Sequence, residues 1–223
     1  GLTMNFNVLT VIKNTKFLYH YIAVCFLVVF MFPALAHEHH GTELKAGEPT
    51  TDSLFHFQSK WTDQDNKTFQ LKDLQGKVAV VSMLYTTCQA ACPLTISDMR
   101  QIQDQLSASA RQKTAFLVFS IDPQRDTPKK LKEVETKYKL DAQSWKLLSS
   151  DDDNTRAFAA ALGVKYKPIK GGEFIHSNII TVVDANGVIR HQHVGLKKDL
   201  VSIVQIVNSL ANPTKSTQGS TKK

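Results

Sequence analysis

Cys88 and Cys92 stand four residues apart with Pro93 directly behind the second, and they are the most nucleophilic side chains in the body of this 223-residue chain. Thiols this close in sequence either close a very small disulfide loop or present two sulfurs to a common ligand. A loop so short removes little entropy from the unfolded chain, so stapling is the weakest use of the pair and redox exchange or metal binding the stronger ones. A thiolate is the reactive form in both chemistries, and the start of a helix, with its unpaired N–H groups, favours that form. The third cysteine, Cys25, lies in the apolar run 17–32.

That run sets the compartment. Residues 1–36 contain no acidic side chain; Lys13 and Lys16 precede the apolar run, and Pro33 and Ala34-Leu35-Ala36 follow it. This is the layout of a secretory signal peptide with cleavage after Ala36, which would remove Cys25 and leave Cys88 and Cys92 in the periplasm or cell envelope. Left uncleaved, the segment is nearly the ~20 residues that an inner-membrane anchor needs. Residues 37–50 read as a His-rich linker, 51–211 as one domain, and 212–223 as a polar tail with too little apolar surface to fold. The formal charge of +7 comes from 27 basic and 20 acidic residues, several of the former in the two flanks. No stretch interleaves clustered Lys/Arg with aromatics, which argues against a nucleic-acid partner.

The elements that must position the thiols follow from hydrophobic period. Val78–Leu84 is continuously apolar, as a strand buried on both faces requires. From Pro93, the apolar residues Leu94, Ile96, Met99, Ile102 and Leu106 trace a helical face. A second buried strand is predicted at 115–121, a helix at Pro128–Tyr138 capped by Thr127, a short strand at 145–148, and a helix at 151–162 stopped by Gly163. Strands at Ile179–Val183 and 188–194 around a Gly187 turn read as a hairpin, and 199–210 as a closing helix. The order predicts an α/β layered domain with the cysteines where the first buried strand meets its helix.

That placement is where a thioredoxin-like fold carries reactive thiols, and three segments make the likeness specific. Tyr85-Thr86-Thr87-Cys88-Gln89-Ala90-Ala91-Cys92-Pro93 resembles the Cys-x-x-x-Cys-Pro motif of the SCO/SenC family. Residues 120–128, Ser-Ile-Asp-Pro-Gln-Arg-Asp-Thr-Pro, resemble its Asp-Pro-x-x-Asp-Thr segment, and His176-Ser177 resembles its distal histidine leading into a strand. Family loops usually carry Pro after the first cysteine and often an acid next, where this chain has Gln89-Ala90-Ala91. The resemblance implies a thioredoxin-like fold with a central mixed sheet flanked by helices, and a copper site made by Cys88, Cys92 and His176. It also implies delivery of copper to the dinuclear copper centre of a cytochrome c oxidase or similar cuproprotein, or reduction of that centre's cysteines with a thiol-disulfide reductant as partner. The donor types agree with it: thiolate is a soft ligand that selects copper(I), and imidazole serves either copper oxidation state. His176 is expected on a flexible loop built on Gly171-Gly172, suited to closing on a metal and releasing it. The rival reading is a metal-independent thiol-disulfide oxidoreductase using Cys88 and Cys92 as its redox pair.

Other residues read less sharply. His191 and His193, two apart, share one face of their strand, a spacing able to grip a metal but commoner on a solvated hairpin face. Asp122 and Arg125 read as turn residues and Asp126, with Thr127, as a helix start; Met83 and Met99 read as core. If cleavage follows Ala36, His37-Glu38-His39-His40 opens the mature chain. The amine, two backbone amides and the His39 imidazole then suit square-planar copper(II), giving His37, His39 and His40 a second metal site.

Overall fold

The computed structural model describes residues 51–196 and 199–213. Residues 1–36, expected to be a signal or anchor segment, the segment with His37, His39 and His40, and the residues beyond 213 lie outside the described residues.

Strands β1 (Lys60–Asp63), β2 (Thr68–Gln70), β3 (Val78–Leu84), β4 (Thr114–Ser120), β5 (Trp145–Ser149), β8 (Ile179–Val183) and β9 (Ile189–Val194) form a mixed sheet in the order β2-β1-β5-β4-β3-β8-β9. Two more, β6 (Tyr166–Pro168) and β7 (Phe174–His176), make a separate antiparallel pair. The helices are α1 (Ala91–Gln105), α2 (Ala108–Gln112), α3 (Pro128–Tyr138), α4 (Asp152–Ala161) and α5 (Val201–Ala211).

β3 runs parallel to β4, with Val81 opposite Leu117, and antiparallel to β8, with Val81 opposite Thr181. All seven of its residues are buried, which is why its sequence is apolar without alternation. Neighbouring strand positions point to opposite faces, and β4 shows what covers each. Phe116 stacks on Trp145 at 5.1 Å, and the Trp145 indole N–H donates to Gln103 of α1 at 2.9 Å. On the other face Phe119 meets Trp61 at 4.7 Å and Phe158 of α4 at 4.3 Å. Each such side chain removed from water contributes about 1.5–3 kcal/mol.

The predicted order of strands and helices is the observed one, and Val78–Leu84, Pro128–Tyr138 and Ile179–Val183 have the expected bounds. The Thr127 hydroxyl caps α3 by accepting from the Lys130 N–H, and the Asp151 carboxylate caps α4 by accepting from the Asn154 N–H. Unforeseen were β1, β2, α2 and the β6–β7 hairpin, all short. α1 begins two residues earlier than expected, at Ala91, which brings Cys92 into its first turn, where Pro93 is tolerated because its missing N–H has no helical acceptor.

Candidate metal centre

The cysteines sit where β3 ends. Leu84 is still paired, opposite Ser120, and accepts a hydrogen bond from the Ile121 N–H at 2.9 Å. The chain then leaves the sheet as a short loop and enters α1 with Cys92. Cys88 therefore lies on the loop rather than on the helix, and the two thiols are brought together by the turn between them. Ala90, at the helix N-cap, contributes no side-chain cap. The Cys88 sulfur takes that part instead, accepting the Cys92 N–H at 3.2 Å.

The loop is tied from below by Asp126, a buried carboxylate that accepts the Thr86 N–H at 3.1 Å, the Thr86 hydroxyl at 2.6 Å and the Ser120 hydroxyl at 2.6 Å. Burial raises its pKa against these hydrogen bonds. This corrects the helix-start reading of Asp126: Thr127 alone caps α3, while Asp126 joins the end of β4 to the cysteine loop. Asp122 has the expected turn role, its carbonyl accepting the Arg125 and Asp126 N–H groups at 3.1 and 3.0 Å.

His176 arrives from the far side of the fold, 84 residues after Cys92. Its Nε2 lies 3.8 Å from the Cys92 sulfur, and its Nδ1 lies 3.1 Å from the Ser177 carbonyl oxygen. A proton on Nδ1, donated to that carbonyl, leaves the Nε2 lone pair directed at the thiols. His176 is not on a flexible loop. It ends β7, paired with Tyr166 of β6, and is buried. Gly171 and Gly172 form the turn before β7, both at positive φ; a side chain at 172 would also run into the Arg125 guanidinium.

Three ties hold this hairpin against the cysteine side. The Tyr85 hydroxyl donates to Glu173 at 2.5 Å and accepts the Phe174 N–H at 3.2 Å. The Tyr85 ring lies edge-on to Phe174 and His176, with centroids at 5.1 and 6.0 Å. Arg125 pairs with Asp122, donates to the Gly172 carbonyl and lies over the Phe174 ring at 5.8 Å. Burial, with the bond to Glu173, holds the Tyr85 phenol in its neutral form. Tyr85 and Glu173 were not singled out from sequence. Tyr85 was visible only as part of the motif, and nothing local marks a partner 88 residues away.

The donor atoms of Cys88, Cys92 and His176 all lie within 4.8 Å of one another, and no other group of three His, Cys, Asp or Glu residues among those described converges in this way. Both thiols are free. Their electrostatics differ. Hydrogen bonds from the Cys92 thiol and from the Cys92 and Ala90 N–H groups push the half-exposed Cys88 well below an ordinary thiol, against its partial burial. Burial, and then the hydrogen bond and charge of Cys88, push Cys92 far above one. The pair is thus a thiolate beside a thiol, able to act as nucleophile and resolving group, or to lose the second proton to a soft cation that replaces it. Two sulfurs and one imidazole nitrogen are a donor set that fits such a cation.

His191 and His193 do not extend the site. They share a face of β9, but it is not solvated: His193 is buried and His191 half-buried, with burial and the neighbouring His193 lowering the His191 pKa. Among the described residues no third donor joins them. Met83 and Met99 are core residues, as expected.

Comparison with known proteins agrees with this arrangement. The SCO1 protein homolog of Bacillus subtilis (strain 168) is 27% identical over 155 residues, covering 66% of this chain and 80% of the relative. Among solved structures, a SCO1/SenC family lipoprotein from Bacillus anthracis is 27% identical with a TM-score of 0.66, over 75% of this chain and 100% of that one. ScoI of Bradyrhizobium japonicum, solved with copper bound, is 22% identical with a TM-score of 0.58, over 74% of this chain and 99% of its own, a likeness that bears on the fold alone. The description SCO1/SenC matches residues 48–212, from ahead of β1 to just past α5, and a match of that extent shows that the chain belongs to the SCO1/SenC family.

Proposed function

We propose that this protein is a copper carrier of the cell envelope that binds one ion through Cys88, Cys92 and His176. Its recipient on this reading is the dinuclear copper site of a cytochrome c oxidase or a similar cuproprotein. The observation that carries the reading is the convergence of two sulfurs and one imidazole nitrogen within 4.8 Å from elements distant in sequence. A disulfide reductase has no need of a buried imidazole aimed at its resolving thiol, whereas a copper(I) ion is satisfied by this three-donor set. Copper is cargo here, and the chain's own work is to hold the donors in place: Asp126 fixes the thiol loop, the Ser177 carbonyl orients the imidazole, and Tyr85 and Arg125 hold the hairpin. His37, His39 and His40 form a second, copper(II) site on the same reading, provided the mature chain begins at His37.

The test is titration of the reduced protein with copper(I), repeated on His176→Ala and on Cys88→Ser/Cys92→Ser. Loss of one ligand should weaken binding on the order of 10 to 100-fold or more, and loss of both thiols should abolish it. Unchanged affinity in His176→Ala sinks the assignment.

The thiolate–thiol asymmetry favours a second reading, a thiol-disulfide reductase that keeps the recipient's cysteines ready. The Cys88 thiolate attacks a partner disulfide, one partner sulfur leaves as thiolate, and Cys92 displaces the other, so that the partner gains two thiols and this protein ends as a disulfide. A thiol-disulfide reductant must then restore it. Activity of this kind that survives in His176→Ala supports the second reading.

A further inference from the structure

We infer that the β6–β7 hairpin and the cleft beside it form the docking surface for an acidic, partly apolar segment of a partner protein. This rests on the carrier reading for its purpose, though not for its test. The segment from Lys165 to His176 holds three lysines and one acid. Lys165, Lys167 and Lys170 are all exposed, and none forms an ion pair among the described residues. The one acid, Glu173, is exposed but has a carboxylate oxygen occupied by the Tyr85 hydroxyl.

The cleft beside the hairpin has a volume of about 820 Å³ and an apolar lining of Ile121, Ala159, Val164, Pro168 and Phe174, with Lys165 among its charged residues. Of its two carboxylates Asp122 is paired with Arg125, whereas Asp152 accepts only the neutral Gln124 amide; Arg156, also in the lining, is paired with Asp153. Ile169 at the hairpin tip is 44% exposed. Across the site, the exposed residues of the cysteine loop, Thr87, Gln89 and Ala90, carry no charge.

A partner approaching the three donors therefore meets a hairpin that carries three exposed lysines, an apolar trough beside it that Lys165 helps to line, and the uncharged residues of the cysteine loop. Carboxylates interleaved with apolar side chains complement that surface, and the charge asymmetry fixes which way round the partner sits. A protein segment is favoured over a lipid headgroup surface because a trough takes up apolar side chains, whereas a membrane face would be flat.

The test uses the full chain without metal on a Cys88→Ser/Cys92→Ser background, so that failure of the copper reading leaves it intact. A fluorescein-labelled peptide of alternating Glu and Leu is titrated by anisotropy, beside its Gln and Leu counterpart and vesicles of phosphatidylglycerol. Lys165→Glu/Lys167→Glu/Lys170→Glu is compared with Lys72→Glu/Lys77→Glu/Lys129→Glu, which makes the same charge change on exposed lysines elsewhere; melting curves establish that both fold. The acidic peptide should bind, and lose about tenfold in affinity in the hairpin variant and at raised salt, but not in the control variant. Equal loss in both variants, equal binding of the Gln peptide, no binding of the acidic peptide, or capture by the vesicles alone overturns the proposal.

Discussion

The two halves of the donor set are held in opposite ways. The thiols stand at the end of β3, an interior strand of the sheet, with every residue beneath them buried and a partner strand on each side. The imidazole stands at the end of a two-stranded hairpin whose own residues are half exposed, and its position depends on Tyr85, Arg125 and one backbone carbonyl. Rigid placement on one side and a few breakable polar ties on the other is the difference expected where a ligand must be taken up and given away. Changes under the thiols should therefore act on the whole fold, and changes at the hairpin on the site alone.

The largest effect expected is at Phe119, fully buried between Trp61 and Phe158. Phe119→Ala should cost about 3–5 kcal/mol in denaturant unfolding, with the midpoint falling and both halves of the site lost together. Second is the contrast between the thiols. Because the Cys88 pKa is lowered and the Cys92 pKa raised, Cys88 remains thiolate as pH falls below the ordinary thiol range while Cys92 stays protonated even above it. Iodoacetamide at about pH 6 should label Cys88 on the order of 100-fold faster than Cys92, read by peptide mass spectrometry; comparable labelling would remove the asymmetry.

Next comes Asp126→Asn, which offers an amide N–H₂ where the carboxylate accepts from Thr86 and Ser120. It should cost about 1–3 kcal/mol and accelerate hydrogen exchange at Thr86. The wild-type carboxyl has a raised folded pKa, so its contribution to stability is present below the unfolded value of 3.8 and lost as pH rises through the folded one. The variant should lack that part of the pH profile. The smallest effect on stability belongs to Tyr85→Phe, which removes the bonds to Glu173 and Phe174 and leaves the edge-on ring contacts in place. Melting should shift by the equivalent of about 1 kcal/mol or less, while hydrogen exchange at Phe174 quickens and copper(I) affinity drops several-fold. A Tyr85→Phe protein with unchanged affinity and exchange would show that the hairpin is held by packing alone.

The same contrast governs what could be read from the sequence. Val78–Leu84 and the cysteine pair were legible because a doubly buried strand leaves an unbroken apolar run and a helix start leaves a Pro. β6 and β7 have three residues each, too few for a period, and Lys167, Pro168 and Gly171-Gly172 argue for a loop. They are strands because Tyr85 and Arg125 hold them there. Asp126 was misread for a similar reason: an acid before Thr-Pro matches a helix start, and only the tertiary fold reveals that the Thr86 N–H takes its carboxylate instead.

The position of β8 has a consequence in time. β3 gains β4 as a neighbour after two consecutive helices, α1 and α2, but its other neighbour begins only at Ile179, beyond the histidine. A chain folding as it emerges from its N-terminus thus passes through a stage with both thiols present and one edge of β3 open. Closing that edge is the long-range step, and such steps are the slow ones. An ion captured before it would find two sulfurs at most, and the open edge would meanwhile be a pairing hazard. The complete donor set comes into being only with the last strands, so the ability to hold a metal through all three side chains reports that folding is finished.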